Sequence, residues 1–363
     1  MLSRRKLIQL TGIGCGAFLG GSLHSALAYL NDGARENMIN AIPGPVGKKI
    51  KRAQHIGYHV TSQPKASETF ILLQEMWDKV FTRSEGWLQI IVLPDSAELP
   101  AADTEAVLAT ASGRFDAITV AGPAIDAIMP EVIPMQALAF AYKDSQAAKS
   151  VVNTPLYAEC MREAALKNNL HCLNGLLNAG MRQMTTIKGH PLKTIKDFNG
   201  LVLRIPPSPI YIEQLQPLGI KPVMTPISDA SQMMKKTIVM GQENPTSYAV
   251  MFEFYKVCTY LNETNHFWSG FNTLINADTW SQWPKAIKSI VQEEYTTMLE
   301  KQWPTIESNN AKATEFLTNT GMIYIQTDLT GVKEKVKPAQ LQLLKRVDPR
   351  LQPIAEQLIE KRD

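Results

Sequence analysis

Two α/β lobes joined by a hinge are what this sequence predicts, and three observations lead there. Between Ile56 and Val120, apolar runs of strand length alternate with stretches of helical period, the pattern of a parallel sheet with helical crossovers. Extended segments near Gly180, and again between Ser269 and Asn276, carry the chain out of the first lobe and back. Two such crossings make a hinge, and two hinged lobes make a cleft. Finally, 363 residues with 45% hydrophobic and 20% charged content are enough to fill two cores.

Ile56–Val60 reads as the first strand. Phe70, Leu73, Met76, Trp77 and Val80 then recur at three- and four-residue spacing, so one helix face is apolar, and Gly86 stops that helix. Leu88–Leu93 is the next strand, Asp103–Ser112 a second helix with Gly113 as its stop, and Phe115–Val120 the third strand. A sheet of this kind takes ligands at the carboxyl ends of its strands. Those ends are His59–Gln63, Pro94–Glu98 and Ala121–Pro123, which makes His59, Thr61 and Glu98 candidate contacts.

Met181–Ile187 is extended and leads into the second lobe. There a short apolar strand stops at Pro206 and Pro207, because proline cannot donate to a sheet ladder. Arg204 is thereby delivered at a strand end, and its planar fork of donors matches a carboxylate. The plainer reading is a structural ion pair with Asp197, Glu213 or Asp229. Asp278–Gly321 is mostly helical, with Ile287, Ile290, Val291, Met298 and Phe316 on apolar faces, and Pro304 should kink it near Trp303. The expected division is 51–179 plus 270–310 for the first lobe, 180–269 plus 311–340 for the second, and a C-terminal helical segment over 341–363.

Residues 1–28 read as a cleaved export signal and 29–50 as a linker. Arg4 and Arg5 stand ahead of a moderately apolar, Gly-rich run that ends in Ala26-Leu27-Ala28. This is a twin-arginine signal, with cleavage before Tyr29. An uncleaved anchor is the alternative, but five glycines from Gly12 to Gly21 and His24 make a poor membrane span. Lipidation at Cys15 is another, and it lacks the usual motif. Without Arg4, Arg5 and Lys6 the 37 basic residues fall to 34, matching the 34 acidic ones, and a neutral chain is a poor nucleic-acid partner. Cys160, Cys172 and Cys258 remain, an odd number. Folding before export favours free thiols, with a Cys160–Cys172 disulfide as the alternative. The six histidines form no H-E-x-x-H, there is no C-x-x-C and no G-x-S-x-G, so no metal, cofactor or catalytic nucleophile is expected.

The block Asp197-x-x-Gly200-x-x-x-Arg204-x-Pro206, followed by Leu218-Gly219-x-x-Pro222 and then Gly241-Gln-Glu-Asn-Pro245, resembles the solute-binding subunit of tripartite ATP-independent periplasmic (TRAP) transporters. Asn178-Ala-Gly-Met-Arg182 and Thr264-Asn-His266 look like two further motifs of that family, and the likeness runs from about residue 53 to about residue 330. The resemblance implies a periplasmic-binding-protein-like fold, two α/β lobes with hinge strands and one long helix spanning both. It also implies a two-pronged salt bridge from Arg204 to a ligand carboxylate, a second contact from Arg182, and an amide contact from Asn244. Gln242 and Glu243 are expected to support the turn, and His266 to stabilise its own.

Departures from the pattern are Met240 for the usual Asp, Ser231 for Tyr, Thr237 for Gly, and Met135–Phe140 where a Leu-Pro-Phe is common. They leave Arg204 and Asn244 in place and bear on the rest of the ligand. Tyr248, Phe267 and Trp268 are candidates to close over it, and a Phe267–Trp268 wall would favour monocarboxylates with an apolar or aromatic body. The expected function is capture of an organic acid anion in the cleft by a monomeric periplasmic protein that hands it to TRAP membrane subunits. An exported enzyme with a folded cofactor and a ligand sensor docking on a membrane receptor are the alternatives.

Overall fold

The computed structural model describes residues 53–99 and 102–360, so the expected export signal, cleavage point and linker lie outside the described residues. Three strands open the chain: β1 (His55–Thr61), β2 (Leu88–Leu93) and β3 (Ala117–Ala121). β1 pairs in parallel with both β2 and β3, as two helical crossovers require. The helix Glu68–Arg83 joins β1 to β2. Its start is set by Ser67, whose hydroxyl accepts from the Phe70 N–H at 3.1 Å, with Glu68 in the first turn and Arg83 in the last to match the helix dipole. The predicted stripe of Phe70, Leu73, Met76, Trp77 and Val80 is buried throughout. At about 1.5–3 kcal/mol per large apolar side chain, this face rather than helix propensity holds the element in place. Beyond the helix, Gly86 takes φ 84° and returns its N–H to the Phe81 carbonyl.

The second crossover helix is Ala102–Ala111, with Gly113 at φ 80° after it. Three helices then follow that periodicity alone does not single out: Pro134–Ala137, Ser145–Val152 and Pro155–Leu166. Caps explain the last two, since the side chains of Asp144 and Thr154 accept from the N–H groups of Ala147 and Tyr157. Nine further strands complete two sheets: β4 (Leu170–Cys172), β5 (Leu177–Met181), β6 (Gln183–Thr186), β7 (Val202–Ile205), β8 (Lys221–Met224), β9 (Gly241–Asn244), β10 (Tyr260–Glu263), β11 (Trp268–Asn276) and β12 (Ile323–Gln326). The first sheet runs β2-β1-β3-β11-β4 with β5 on β11, and the second runs β12-β10-β6-β9-β7-β8.

A 35-residue helix, Lys285–Asn319, runs through Pro304 as one helical element. Pro304 is exposed, so the carbonyl that loses its partner faces water instead of a dry core. Ile287, Val291 and Met298 are buried as predicted, but Phe316 is 42% exposed and meets Tyr255 edge-on at 5.5 Å. Two more helices, Val332–Leu344 and Gln352–Glu360, close the chain, and between them Arg350 grips Glu163, Glu159 and Asp348.

The described residues fall into two compact units. One holds the chain up to Thr119 with Asn169–His171 and Leu274–Met298, and the other holds Val120–Asn168, Cys172–Thr273 and everything from Leu299. Cys160, Cys172 and Cys258 are free and buried, and burial pushes their thiols up to about 11, 12 and 12, so they act as small apolar residues. Among the described residues no helix is long and apolar enough to cross a membrane.

Candidate functional site

Strand register in the second sheet gathers the candidate residues at one edge. β9 lies between β6 and β7, antiparallel to the first and parallel to the second. Gln183 at the start of β6 faces Asn244 at the end of β9, and Arg204 near the end of β7 faces Gln242. Arg182, Asn244 and Arg204 therefore share an edge although up to 62 residues separate them in the chain. Local chemistry sets each strand end. β7 halts before Pro206, and Ser208 caps the helix Pro209–Leu215 while donating its hydroxyl to the buried Asp126. Burial pushes the Asp126 carboxyl up, against the pull of Ser208 and two backbone N–H groups. Ahead of β8, Gly219 sits at φ 81° with space for a Cβ only 2.5 Å from the Asn199 side chain, so that close approach requires glycine.

Arg182 is 4% exposed and its donors meet a dense set of acceptors. Nε and Nη2 take the two oxygens of Glu243, Nη2 also donates to the Glu243 carbonyl at 2.9 Å and to Asn244 Oδ1 at 3.0 Å, and Nη1 donates to Ser269 Oγ at 3.1 Å. The Tyr211 ring covers the guanidinium at 5.6 Å and is itself stacked on Phe267 at 4.1 Å. Burial alone would raise the Glu243 carboxyl, but the Arg182 charge and the bonds from His266 and Arg182 outweigh it and hold Glu243 below the usual carboxylate range. His266 lies 3.2 Å from Glu243, and burial keeps it below its ordinary value despite that neighbour. The outcome is a buried ion pair next to a neutral imidazole. Asn244 is aimed by its own bonds, with Nδ2 donating to Gln242 Oε1 at 2.6 Å and Gln242 in turn donating to Thr185.

Arg204 is 3% exposed and directs Nε and Nη2 onto the backbone carbonyl of Thr225, at 2.9 and 2.6 Å. The acids weighed as its ion-pair partners are engaged elsewhere. Asp197 closes a capping box with Thr194, Glu213 pairs with Arg346, and Asp229 accepts from Thr225 and Ser228. Arg204 thus forks onto a backbone carbonyl, whereas Arg182 forks onto a carboxylate.

The other sequence-predicted residues are placed differently. His59 is fully buried, with one ring nitrogen on Thr119 at 2.8 Å and the other accepting from the Trp77 indole at 2.8 Å, and burial pushes it down to about 3. Thr61 is likewise buried. Glu98 is exposed, in a turn where Asp95, Ser96, Ala97 and Glu98 all take positive φ. Tyr248 is half-buried on the helix Thr246–Met251 and stacks on Phe252. Phe267 and Trp268 are each 1% exposed, and Trp268 stacks on Trp303 and donates to Asn178. Both rings are thus buried, as Arg182 and Arg204 are. Ser269 and Tyr211, which sequence reading passed over, line Arg182 instead. No spacing signal marks them, since each reaches Arg182 from a distant element. Among the described residues there is no cluster of three acidic, histidine or cysteine side chains that would hold a metal ion.

Comparison with known proteins identifies the family and the fold. Residues 59–346 match the bacterial extracellular solute-binding proteins of family 7, the DctP family. The C4-dicarboxylate-binding protein DctB of Bacillus subtilis is 27% identical over 75% of this chain and 74% of its own length. The sialic acid-binding periplasmic protein SiaP of Vibrio cholerae is also 27% identical, over 54% of this chain and 59% of its own, and an uncharacterised Haemophilus influenzae protein matches over 54% of its length. Among solved structures, a TRAP periplasmic solute-binding protein of Xanthobacter autotrophicus with bound β-D-galacturonate superposes with a TM-score of 0.77 at 18% identity, covering 84% of this chain and 99% of that one. A sugar acid-binding protein of Advenella mimigardefordensis in complex with galactonate gives 0.77 at 20% identity, covering 85% and 98%. With two α/β lobes and a family match over most of its length, the chain belongs to the bacterial extracellular solute-binding proteins of family 7, the DctP-type binding proteins of TRAP transporters, which bind a solute and do not transform it.

Proposed function

We propose that the protein captures a small organic acid by its carboxylate at the edge of the second sheet, and delivers it outside the cytoplasm to the membrane subunits of a TRAP carrier. It would act there as a monomer exported by its twin-arginine signal. The observation that carries this reading is the register that sets Arg204, Arg182 and Asn244 on one edge. In it Arg204 supplies a planar fork to the carboxylate, while Arg182 and Asn244 orient it. Because Glu243 already balances the charge of Arg182, a single carboxylate on Arg204 suits the site better than two. Proteins of this fold solved with galacturonate and galactonate make hydroxylated sugar acids the class to try first.

A thermal-shift screen tests the reading with D-galacturonate, D-glucuronate, D-galactonate, sialic acid and succinate against glucose and galactose. A ligand that binds only the folded state stabilises it by about 2.7 kcal/mol at a hundredfold excess over its Kd. At least one acid should raise Tm and the neutral sugars should not. Stabilisation by a neutral sugar and by no acid would overturn the reading, and succinate as the sole hit would overturn the preference for one carboxylate.

A further inference from the structure

The side chain of Asn310 sits where two parts of this edge are tied together from behind. It belongs to the long helix, half-buried, in a position where asparagine forms helix less well than alanine by roughly half a kcal/mol, so its tertiary bonds account for it better than helix propensity does. Its Nδ2 donates to the Ala179 carbonyl at 2.9 Å, on β5 just ahead of Arg182. Its Oδ1 accepts from the Ser247 N–H at 3.1 Å, just beyond Asn244, and its backbone carbonyl accepts from Thr246 Oγ1 at 2.9 Å. Arg182 spans the same two segments from the front through Glu243 and Asn244. One amide and one guanidinium thus brace the same gap.

The strand is shaped to receive that amide. Gly180, between Ala179 and Arg182, sits at φ 102°, and a Cβ there would come 2.2 Å from Asn310 Nδ2. The helix is held in register beside it by Gln302, which donates to the Asn178 carbonyl at 2.6 Å and accepts from the Asn178 N–H at 2.9 Å, and by Glu307, which accepts from the Asn178 side chain.

We propose that Asn310 is a positioning residue for the ligand's carboxylate corner, holding the Arg182 segment and the Asn244 turn at the separation that lets Arg182 reach Asn244. It acts through those two residues and touches no ligand. The inference rests on the reading that Arg182 and Asn244 take part in binding.

Two variants and two readouts test it. Asn310→Leu removes both side-chain bonds, and Glu307→Ala removes a tie between the same helix and strand without touching the turn. In ligand-free crystal structures the 3.0 Å contact between Arg182 Nη2 and Asn244 Oδ1 should open beyond about 3.5 Å in Asn310→Leu and persist in Glu307→Ala. Calorimetry with D-galacturonate and D-glucuronate should show Asn310→Leu weakened by about tenfold or more and Glu307→Ala within about twofold of wild type, at comparable losses of Tm. Asn310→Asp, which keeps the acceptor for Ser247 and loses the donor to Ala179, should fall between them, and it replaces Asn310→Leu if that variant does not fold. An unchanged Arg182–Asn244 contact, or binding equal to that of Glu307→Ala, overturns the proposal. If wild type binds neither uronate, the choice of ligand class fails, while the crystallographic distance still decides the role of Asn310.

Discussion

At one edge of the second sheet two arginines, 4% and 3% exposed, meet acceptors of different kinds. Arg182 forks onto the carboxylate of Glu243, beside His266, Ser269 and the Tyr211 ring, and Arg204 forks onto the carbonyl of Thr225. The Arg182 corner is electrically closed. At Arg204 the same two nitrogens, Nε and Nη2, rest on a carbonyl dipole, and in the proposed reading this is the arginine that supplies the fork to the solute. Burial therefore does not distinguish the two arginines, and the kind of acceptor does. A buried charge pair is costly to break and modest in net worth, whereas a hydrogen bond to a neutral carbonyl contributes about 1 kcal/mol.

Breaking the closed corner should have the largest effect. Glu243→Ala leaves the Arg182 charge buried without its carboxylate and should destabilise the fold by about 3–5 kcal/mol in urea titrations. Replacing the pair together, Arg182→Met with Glu243→Leu, should cost far less than Glu243→Ala alone. A double variant as unstable as the single one would mean that the pair is not what closes this corner.

Next comes binding at Arg204. Arg204→Ala should cost about 2–5 kcal/mol in affinity for the organic acid found in the screen, and Arg204→Lys nearly as much, because an ammonium cannot supply the fork. Calorimetric affinity within a few-fold of wild type for either variant would move the anion to another residue.

Acid should separate the buried groups by sign and window. Glu243 has a lowered carboxyl, so its stabilisation is complete above the ordinary carboxylate range and is lost as pH falls through the folded value. His59 is pushed down to about 3, so between the ordinary histidine value of about 6.5 and that point the unfolded chain binds a proton that the folded chain refuses. Stability should fall across this window by about 1.4 kcal/mol per pH unit for His59, with His266 adding in the same direction. His59→Gln should flatten the slope between pH 6 and 4 while leaving the loss at lower pH that belongs to Glu243. An unchanged slope in that variant would place the proton elsewhere.

The last comparison is of folding at Arg204. Arg204→Ala removes two bonds to the neutral Thr225 carbonyl, typically about 1 kcal/mol each, and should destabilise the fold less than Glu243→Ala, which strands a buried charge. A loss as large as that of Glu243→Ala would erase the contrast between the two arginines.

Much of this protein was legible in its sequence because it is written in short-range chemistry. The stripe Phe70, Leu73, Met76, Trp77 and Val80 specifies a helix, Gly86 and Gly113 its neighbours' turns, and Pro206 the end of β7, each through spacing or backbone geometry that holds within a few residues. The ordered motifs around Arg204 and Gln242–Pro245 carry the family for the same reason. What the tertiary structure alone decided is who meets whom. Arg182 finds Glu243 across 61 residues only because β9 is inserted between β6 and β7, and no local period encodes a strand order. Trp268 and His59 turn inward for a related reason, since whether a ring at a strand end faces solvent depends on what packs over it, here Trp303 and Trp77. Trp77 stands on the next helix, 18 residues from His59, whereas Trp303 belongs to the long helix far along the chain, and Asn310 reaches the site from that same helix.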